Sequence, residues 1–214
     1  MNKQRLEAFS DGVMAILITI MVLELRPPHI PELRSLVEVV PTFLSYVLSF
    51  IYLGIYWNNH HHMLHATRHI TGGALWANLH LLFWLSLLPF ATAWMGDNHF
   101  AATPLAFYGV ILFGCAIAYL ILERILIAAN GPQSELAKAI HHGLKEKISP
   151  FFYIAAIPLA FVNQYLSGAL FVAVALIWVI PDRRIERRLK SARSGGTDER
   201  MSGGADERWN GGTD

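Results

Sequence analysis

Residues 5–24 of the chain are RLEAFSDGVMAILITIMVLE, an apolar stretch with charged residues near both ends. The hydrocarbon core of a bilayer is roughly 30 Å thick, and an α-helix needs about 20 mainly apolar residues to cross it. The stretch is long enough, and it has no small-residue cleavage site of the kind that ends a secretory signal. We therefore expect it to span a membrane as a helix.

Five further segments have the same apolar character, and residues that break helices separate them. Backbone groups that face lipid must be paired within their own segment, which makes each apolar span helical. The sequence therefore predicts an all-α integral membrane bundle of six transmembrane helices. The predicted spans are Leu6–Leu25, Val39–Asn59, Ala74–Met95, Pro104–Ala128, Phe151–Gln164 and Ser167–Ile180.

The composition excludes a cytosolic globular protein. Hydrophobic residues make up 54% of the 214 residues and charged residues 15%, whereas soluble domains carry about 25% charged residues. Cys115 is the single cysteine, which excludes a disulfide or a thiolate metal site within one chain. The basic residues lie beside the ends of the apolar spans, so we expect no nucleic-acid partner.

The distribution of positive charge favours six spans over five. With six spans and a cytoplasmic amino terminus, the outer loops hold only Arg26 and Arg34. A five-span chain would export the basic cluster at residues 183–190, against the rule that cytoplasmic loops carry the excess of Lys and Arg. We predict a multi-pass protein of the cell membrane with both termini in the cytoplasm.

The chain divides into two parts at the end of the sixth span. Residues 1–182 form the predicted six-helix transmembrane domain. Residues 183–214 begin with a basic juxtamembrane segment, which suits contact with anionic membrane lipids. They continue in a Gly- and charge-rich tract that cannot bury a core, and we predict that this tail is disordered.

The first predicted helix has two different faces. On a helical wheel Gly12, Ile16, Thr19, Ile20 and Leu23 form one stripe, and Asp11 lies about 140° from Ile16. The stripe has two interpretations, ordinary helix packing or the lining of a channel with stacked hydrophobic rings that control flow by dewetting.

Asp11 also has two interpretations. A carboxylate inside a membrane helix is costly, so it is usually buried against polar partners or lines water. Ser10, His60 and Asn78 are candidate partners, and so is Arg5. Alternatively, Asp11 caps the start of the helix at the membrane boundary.

Three ordered motifs resemble the transmembrane protein 175 family of endosomal and lysosomal potassium channels and their prokaryotic relatives. The first is Arg5-x-x-x-Phe9-Ser10-Asp11 followed by Ala15-Ile16 and Thr19. The second is Trp57-x-x-His60, and the third is Leu75-x-x-Asn78-Leu79, ending in Leu88-Pro89-Phe90. The spacing of the three motifs is compatible with the family over most of the chain.

The resemblance implies a potassium-selective channel, passive and without a cofactor, in which the first helix of each subunit lines the pore. Members with a single six-helix repeat, like this chain, assemble as homotetramers. By position, Ile16 corresponds to the narrowest hydrophobic ring, and Thr19, Ile20 and Leu23 add further layers. The resemblance also implies a polar network that holds the pore helix. Its members are Arg5, Phe9, Ser10, Asp11, Trp57, His60 and Asn78.

The Thr-Val-Gly-Tyr-Gly filter of other potassium channels is absent from the sequence. Selectivity must then come from the size of the ring and the cost of dehydrating the ion. Potassium holds its water less tightly than sodium, so a tight apolar ring favours potassium. No span carries an arginine at every third position, so we predict no voltage sensor.

A histidine-rich run extends from His60 to His69. His61, His65 and His69 share a spacing of four residues and could ligate a metal on one helical face. The alternative is a polar helix end that responds to pH near neutrality, because imidazole titrates there. We expect no metal site.

Two other functions are alternatives to a channel. A membrane di-metal enzyme needs several histidine boxes, and His141-His142 is a poor second box with few carboxylates nearby, so we expect no enzyme. A secondary transporter usually shows inverted repeats and broken helices. Pro158 could break the fifth span, but no internal repeat is present. A transporter or a proton-leak pathway stays as the alternative.

Overall fold

Long apolar runs and few helix breakers fold this chain into helices connected by short turns. The computed structural model describes residues 2–134, 136–137 and 144–179, and this part of the chain contains no strand. The prediction of an all-α protein is confirmed. The helices are α1 Lys3–Leu23, α2 Leu36–His65, α3 Gly72–Ser86, α4 Leu88–Asp97, α5 Ala102–Asn130, α6 Leu144–Val162 and α7 Gln164–Val179, with a 3₁₀ turn at Leu33–Ser35 before α2.

Four helical stretches are long and apolar enough to cross a membrane: Lys3–Leu23, Leu33–His65, Gly72–Asp97 and Ala102–Asn130. Two shorter apolar helices, Ile148–Val162 and Gln164–Val179, correspond to the fifth and sixth predicted spans. α2 extends at both ends beyond the predicted span Val39–Asn59. At the C-terminal end, the polar histidine run continues the helix after the apolar residues stop.

The third predicted span, Ala74–Met95, is built from two helices that meet at Leu87. Pro89 has no N–H to donate to the turn before it, and proline disfavours a helical residue directly ahead of it. The chain therefore tightens locally, and the Leu87 N–H bonds the Trp84 carbonyl at 3.2 Å. Pro158, in contrast, lies inside α6 without ending it.

The turn between the last two helices is at Asn163, earlier than the predicted boundary between the fifth span, which ends at Gln164, and the sixth, which begins at Ser167. The Asn163 side chain accepts hydrogen bonds from the backbone N–H groups of Tyr165 and Leu166, at 3.0 and 3.1 Å, and so caps α7. The Ser167 hydroxyl donates to the Ala156 carbonyl at 2.8 Å. Ser167 therefore joins α6 to α7 instead of ending a helix.

α5 lies at the centre of the described bundle and packs against α3, α4, α6 and α7, while α1 packs against α2, α3 and α4. Gly114 on α5 makes one of these contacts possible, because a Cβ at this position would overlap the Trp84 ring of α3. The described helices belong to one unit that ends at Val179. The predicted C-terminal segment, residues 183–214, lies outside the described residues.

Candidate ion pathway and its supporting network

α1 is packed along one face and open along the other. Its buried residues recur every three or four positions and face the other helices of the subunit: Leu6, Ser10, Met14, Leu17 and Met21. The predicted stripe lies on the open face. Ile16, Ile20 and Leu23 have 57%, 41% and 76% of their surface exposed in the single subunit.

Two small residues complete the exposed stripe. Gly12 borders open space, since a Cβ built there would meet no atom within 4 Å. Thr19 is also exposed, and its hydroxyl donates to the Ile16 carbonyl at 2.9 Å. The hydroxyl proton is therefore used within the helix, and the Thr19 oxygen keeps its lone pairs for an outside donor or a cation.

A chain of three buried side chains lies behind the exposed stripe. The Asn78 amide donates to the Ser10 hydroxyl at 2.9 Å, and the Asn78 carbonyl oxygen lies 2.7 Å from Nε2 of His60. Because that oxygen can only accept, the proton of a neutral His60 is on Nε2. The chain joins α1 to α3 and α3 to α2, and all three residues are buried.

Asp11 has a separate partner on α2. The indole N–H of Trp57 donates to the Asp11 carboxylate at 3.0 Å, and Asp11 is half-buried. The structure places the cap of α1 elsewhere, at Asn2, whose side chain accepts from the Gln4 N–H at 3.2 Å. Asp11 therefore lies inside the helix, where its carboxylate connects α1 to α2.

The family resemblance assigns Arg5 and Phe9 to this network, but both lie outside it in the single subunit. Arg5 is exposed and makes no ion pair or hydrogen bond with the described residues. Phe9 has 51% of its surface exposed. Both lie on the open side of α1, next to the position of Gly12.

A lysine contact that sequence reasoning missed fixes the start of α1. The Lys3 ammonium donates to the His65 carbonyl at 2.9 Å and lies 3.7 Å from the Glu7 carboxylate. A lysine near a helix C-terminus is favourable there because the last carbonyls carry partial negative charge. No sequence motif joins residues this far apart, so only the fold reveals the contact.

The exposed histidines form a column of rings along the end of α2. His61 lies between Trp57 and His65, with ring centroids 6.0 and 6.1 Å away. His69 does not continue the column, because α2 ends at His65. Within the described residues no three histidine, cysteine or carboxylate side chains converge as metal ligands.

A second buried polar cluster was also missed by sequence reasoning. The Thr92 hydroxyl of α4 lies 2.7 Å from the Ser49 hydroxyl of α2, which in turn lies 3.0 Å from the Tyr108 hydroxyl of α5. Hydrogen bonds of this kind hold membrane helices together, since water is not available to pair the same groups. The cluster therefore fixes α2 against α4 and α5.

Comparison with known proteins supports a channel. The sequence pattern of the family described as endosomal/lysosomal potassium channel TMEM175 matches residues 5–89, which hold α1, α2, α3 and the start of α4. A protein of Chryseobacterium sp. (strain P1-3) named as a potassium channel is 55% identical over 190 residues, covering 89% of this chain and 99% of the relative.

Two more distant relatives carry the family name, and one of them has a solved structure with the same fold. The crystal structure of a lysosomal potassium-selective channel TMEM175 homolog from Chamaesiphon minutus superposes with a TM-score of 0.74 at 27% identity, over 83% of this chain and 96% of the homolog. The human endosomal/lysosomal proton channel TMEM175 is 27% identical over 186 residues, which are 79% of this chain and 36% of the human protein. The chain belongs to the TMEM175 family of ion channels, as a prokaryotic member with helices that cross the membrane.

Proposed function

We propose that the protein is a homotetrameric, potassium-selective channel of the cell membrane with both termini in the cytoplasm. The exposed stripe of α1 carries this proposal. Its large apolar residues have no partner within the described subunit, although the opposite face of the same helix is fully packed. Four such stripes, one from each subunit, would meet on a central axis.

The composition of the stripe favours a position facing the central axis of the oligomer over a position facing lipid. Lipid-facing surfaces of a membrane helix need only be apolar, whereas Thr19 adds a polar oxygen and Gly12 removes a side chain. Small residues let neighbouring helices approach closely in a membrane. A bundle of α1 helices therefore has both a place of close contact and a polar ring within a mainly apolar path.

The stripe gives a physical basis for preferring potassium. A ring of Ile16 side chains forces an ion to shed water, and potassium gives up water at a lower free-energy cost than sodium. The Thr19 oxygens lie one turn further along and can replace part of that water, because their protons are already donated to the Ile16 carbonyls. We assign the main constriction to Ile16 and further layers to Ile20 and Leu23.

The network behind α1 supports the proposed pore. The Ser10–Asn78–His60 chain and the Asp11–Trp57 contact connect α1 to α3 and α2. These bonds fix the rotation of α1 about its own axis, and therefore which residues face the stripe. We propose that this is their role, and that Arg5 and Phe9 act where subunits meet, since both are exposed in the single chain.

The proposal is tested with purified protein in liposomes. We expect potassium flux down a gradient that does not saturate, a smaller sodium flux, and a mass of the detergent-solubilised particle equal to four chains. Saturable flux coupled to a counter-ion would indicate a secondary transporter instead. A particle of one chain would rule out a pore formed by four α1 helices.

Proton conduction is the second candidate. The vertebrate relatives of this chain, including the human protein, are named as proton channels. The same axial path would serve protons when it is filled with water, and a pH-sensitive dye inside the liposomes measures this flux alongside the potassium flux.

A further inference from the structure

A small cavity lies where α2, α5, α6 and α7 meet, away from the exposed stripe of α1. Its volume is about 30 Å³. The surface of its wall is mainly apolar, with a few polar groups from side chains that carry a hydroxyl or an amide. The polar lining residues are Tyr52, Tyr56, Asn59, Tyr119, Ser149 and Tyr153.

Tyr56 is a buried residue of this lining, and no hydrogen bond joins its hydroxyl to the described residues. It has 9% of its surface exposed, and its ring meets that of Tyr119 edge to face with centroids 6.2 Å apart. Its hydroxyl makes no hydrogen bond with any residue that the structure describes. In contrast, the Tyr52 hydroxyl donates to the Phe171 carbonyl at 2.7 Å.

Asn59 adds a side-chain carbonyl oxygen one turn away on the same helix. Its amide nitrogen donates to the Ile55 carbonyl at 2.7 Å, and no described residue donates to its side-chain oxygen. Tyr56 and Asn59 therefore present a hydroxyl and a carbonyl oxygen to the same cavity.

We propose that this cavity is a binding site for water, and that about two ordered water molecules pair the Tyr56 hydroxyl and the Asn59 oxygen. A buried hydroxyl without a partner is unfavourable, and nearly all such groups in proteins are hydrogen-bonded. One bound water needs roughly 10–15 Å³ and two or more polar partners. The cavity volume meets the first requirement, and the Tyr56 hydroxyl and the Asn59 oxygen supply two polar partners in a wall that is otherwise mainly apolar. A lipid chain or another apolar guest would leave both polar groups unpaired.

The water adds to the direct polar contact between α2 and the last two helices, in which the Tyr52 hydroxyl donates to the Phe171 carbonyl. Tyr56 and Asn59 belong to the turn of α2 that also carries Trp57 and His60, which contact α1 and α3. The opposite wall belongs to α6 and α7, which are joined there by a hydrogen bond of 2.8 Å from the Trp178 indole N–H to the Ser149 hydroxyl. Water in the cavity therefore links the last two helices to the helix that supports α1.

Replacing Tyr56 by Phe removes the hydroxyl and leaves the ring, so the sign of the stability change reports whether the hydroxyl is hydrated. If water occupies the cavity, Y56F loses hydrogen bonds, and we expect the Tm of the full-length protein in detergent to fall by about 2–4 °C. If the cavity is dry, the same change removes an unpaired polar group and the Tm rises. Tyr46, which lies on α2 outside the cavity, provides the matched control Y46F, with no expected change.

A high-resolution structure of the wild-type channel provides the second measurement. We expect density for ordered water within hydrogen-bonding distance of the Tyr56 hydroxyl, and loss of that density in Y56F. An empty cavity, continuous density for a lipid or detergent chain, or a raised Tm for Y56F would overturn the proposal. Potassium flux is measured separately, so failure of the water site and failure of the proposed pore remain distinguishable.

Discussion

The indole N–H of Trp57 donates to the Asp11 carboxylate at 3.0 Å and connects α2 to α1 beside the exposed stripe. Asp11 is half-buried, and a hydrogen bond to a charged group contributes about 1.5–3 kcal/mol when it is protected from water. We expect D11A to lower the free energy of unfolding by about 1–2 kcal/mol, because Asp11 is partly solvated. Thermal unfolding and the yield of assembled particle measure the effect.

E24A provides the control for D11A. Glu24 lies at the other end of α1, so its replacement removes the same charge without breaking the contact between Asp11 and Trp57. We expect wild-type assembly for this variant. An equal Tm and an equal yield for D11A and wild type would show that the Trp57 contact does not hold α1 in place.

Ile16 is predicted to form the narrowest part of the path. An amide at this position would hydrate the ring, and we expect I16N to raise potassium flux by roughly tenfold, which corresponds to a barrier lower by about 1.4 kcal/mol. The preference over sodium should fall at the same time. Liposome flux of both ions measures this, with V22N as the control, because Val22 is exposed on a different side of α1.

Variants of Thr19 test the proposed ring of hydroxyl oxygens, and T19V does so without changing the volume of the side chain. T19V removes the oxygen and keeps the branched shape, and we expect the ratio of potassium to sodium flux to fall. T19S keeps a hydroxyl that can donate to the Ile16 carbonyl, so its ratio should stay close to that of the wild type. Equal ratios in T19V and wild type would contradict a role for the oxygen in selectivity.

Asn78 makes two hydrogen bonds in the buried chain, one with Ser10 and one with His60. Ser10 takes part only in the first of these bonds. Removing Asn78 leaves two buried partners unpaired, each at a cost of about 1–3 kcal/mol. We therefore expect N78A to lower the Tm more than S10A does. In the double variant the two effects should be smaller than additive, since both changes remove the same bond.

Gly114 tests the packing of α5 on α3. An added methyl group would overlap the Trp84 ring, and overpacking of this kind costs about 1–3 kcal/mol. G54A is the matched control, because a Cβ at Gly54 meets no atom within 4 Å. We expect G114A to lower the Tm and G54A to leave it unchanged or slightly higher, as alanine favours helix.

The helices could be predicted from the sequence because the length of an apolar run and the need to pair backbone groups act locally. The break at Leu87 also has a local cause, the missing N–H of Pro89. The position of the last turn was predicted less well, because Ser167 and Gly168 resemble a breaker until the contact of Ser167 with Ala156 is known. Tertiary packing decides that case.

The residues of the site could be predicted from the sequence, but most of their contacts could not. The spacing along α1 separated the exposed stripe from Asp11, and the family motifs named Trp57 and Asn78. The sequence could not show that Asp11 pairs with Trp57, nor that Tyr56 faces a cavity, since these contacts join residues far apart in the chain. The surroundings of Arg5 and Phe9 depend on neighbouring subunits, which a single sequence does not describe.

The single residue between α6 and α7 has a consequence for biosynthesis. Asn163 alone connects the two helices, and its side chain caps α7. A connection this short leaves no chain for one helix to enter the lipid while its partner waits in the translocon. We therefore expect the two helices to leave the translocon together, as one hairpin.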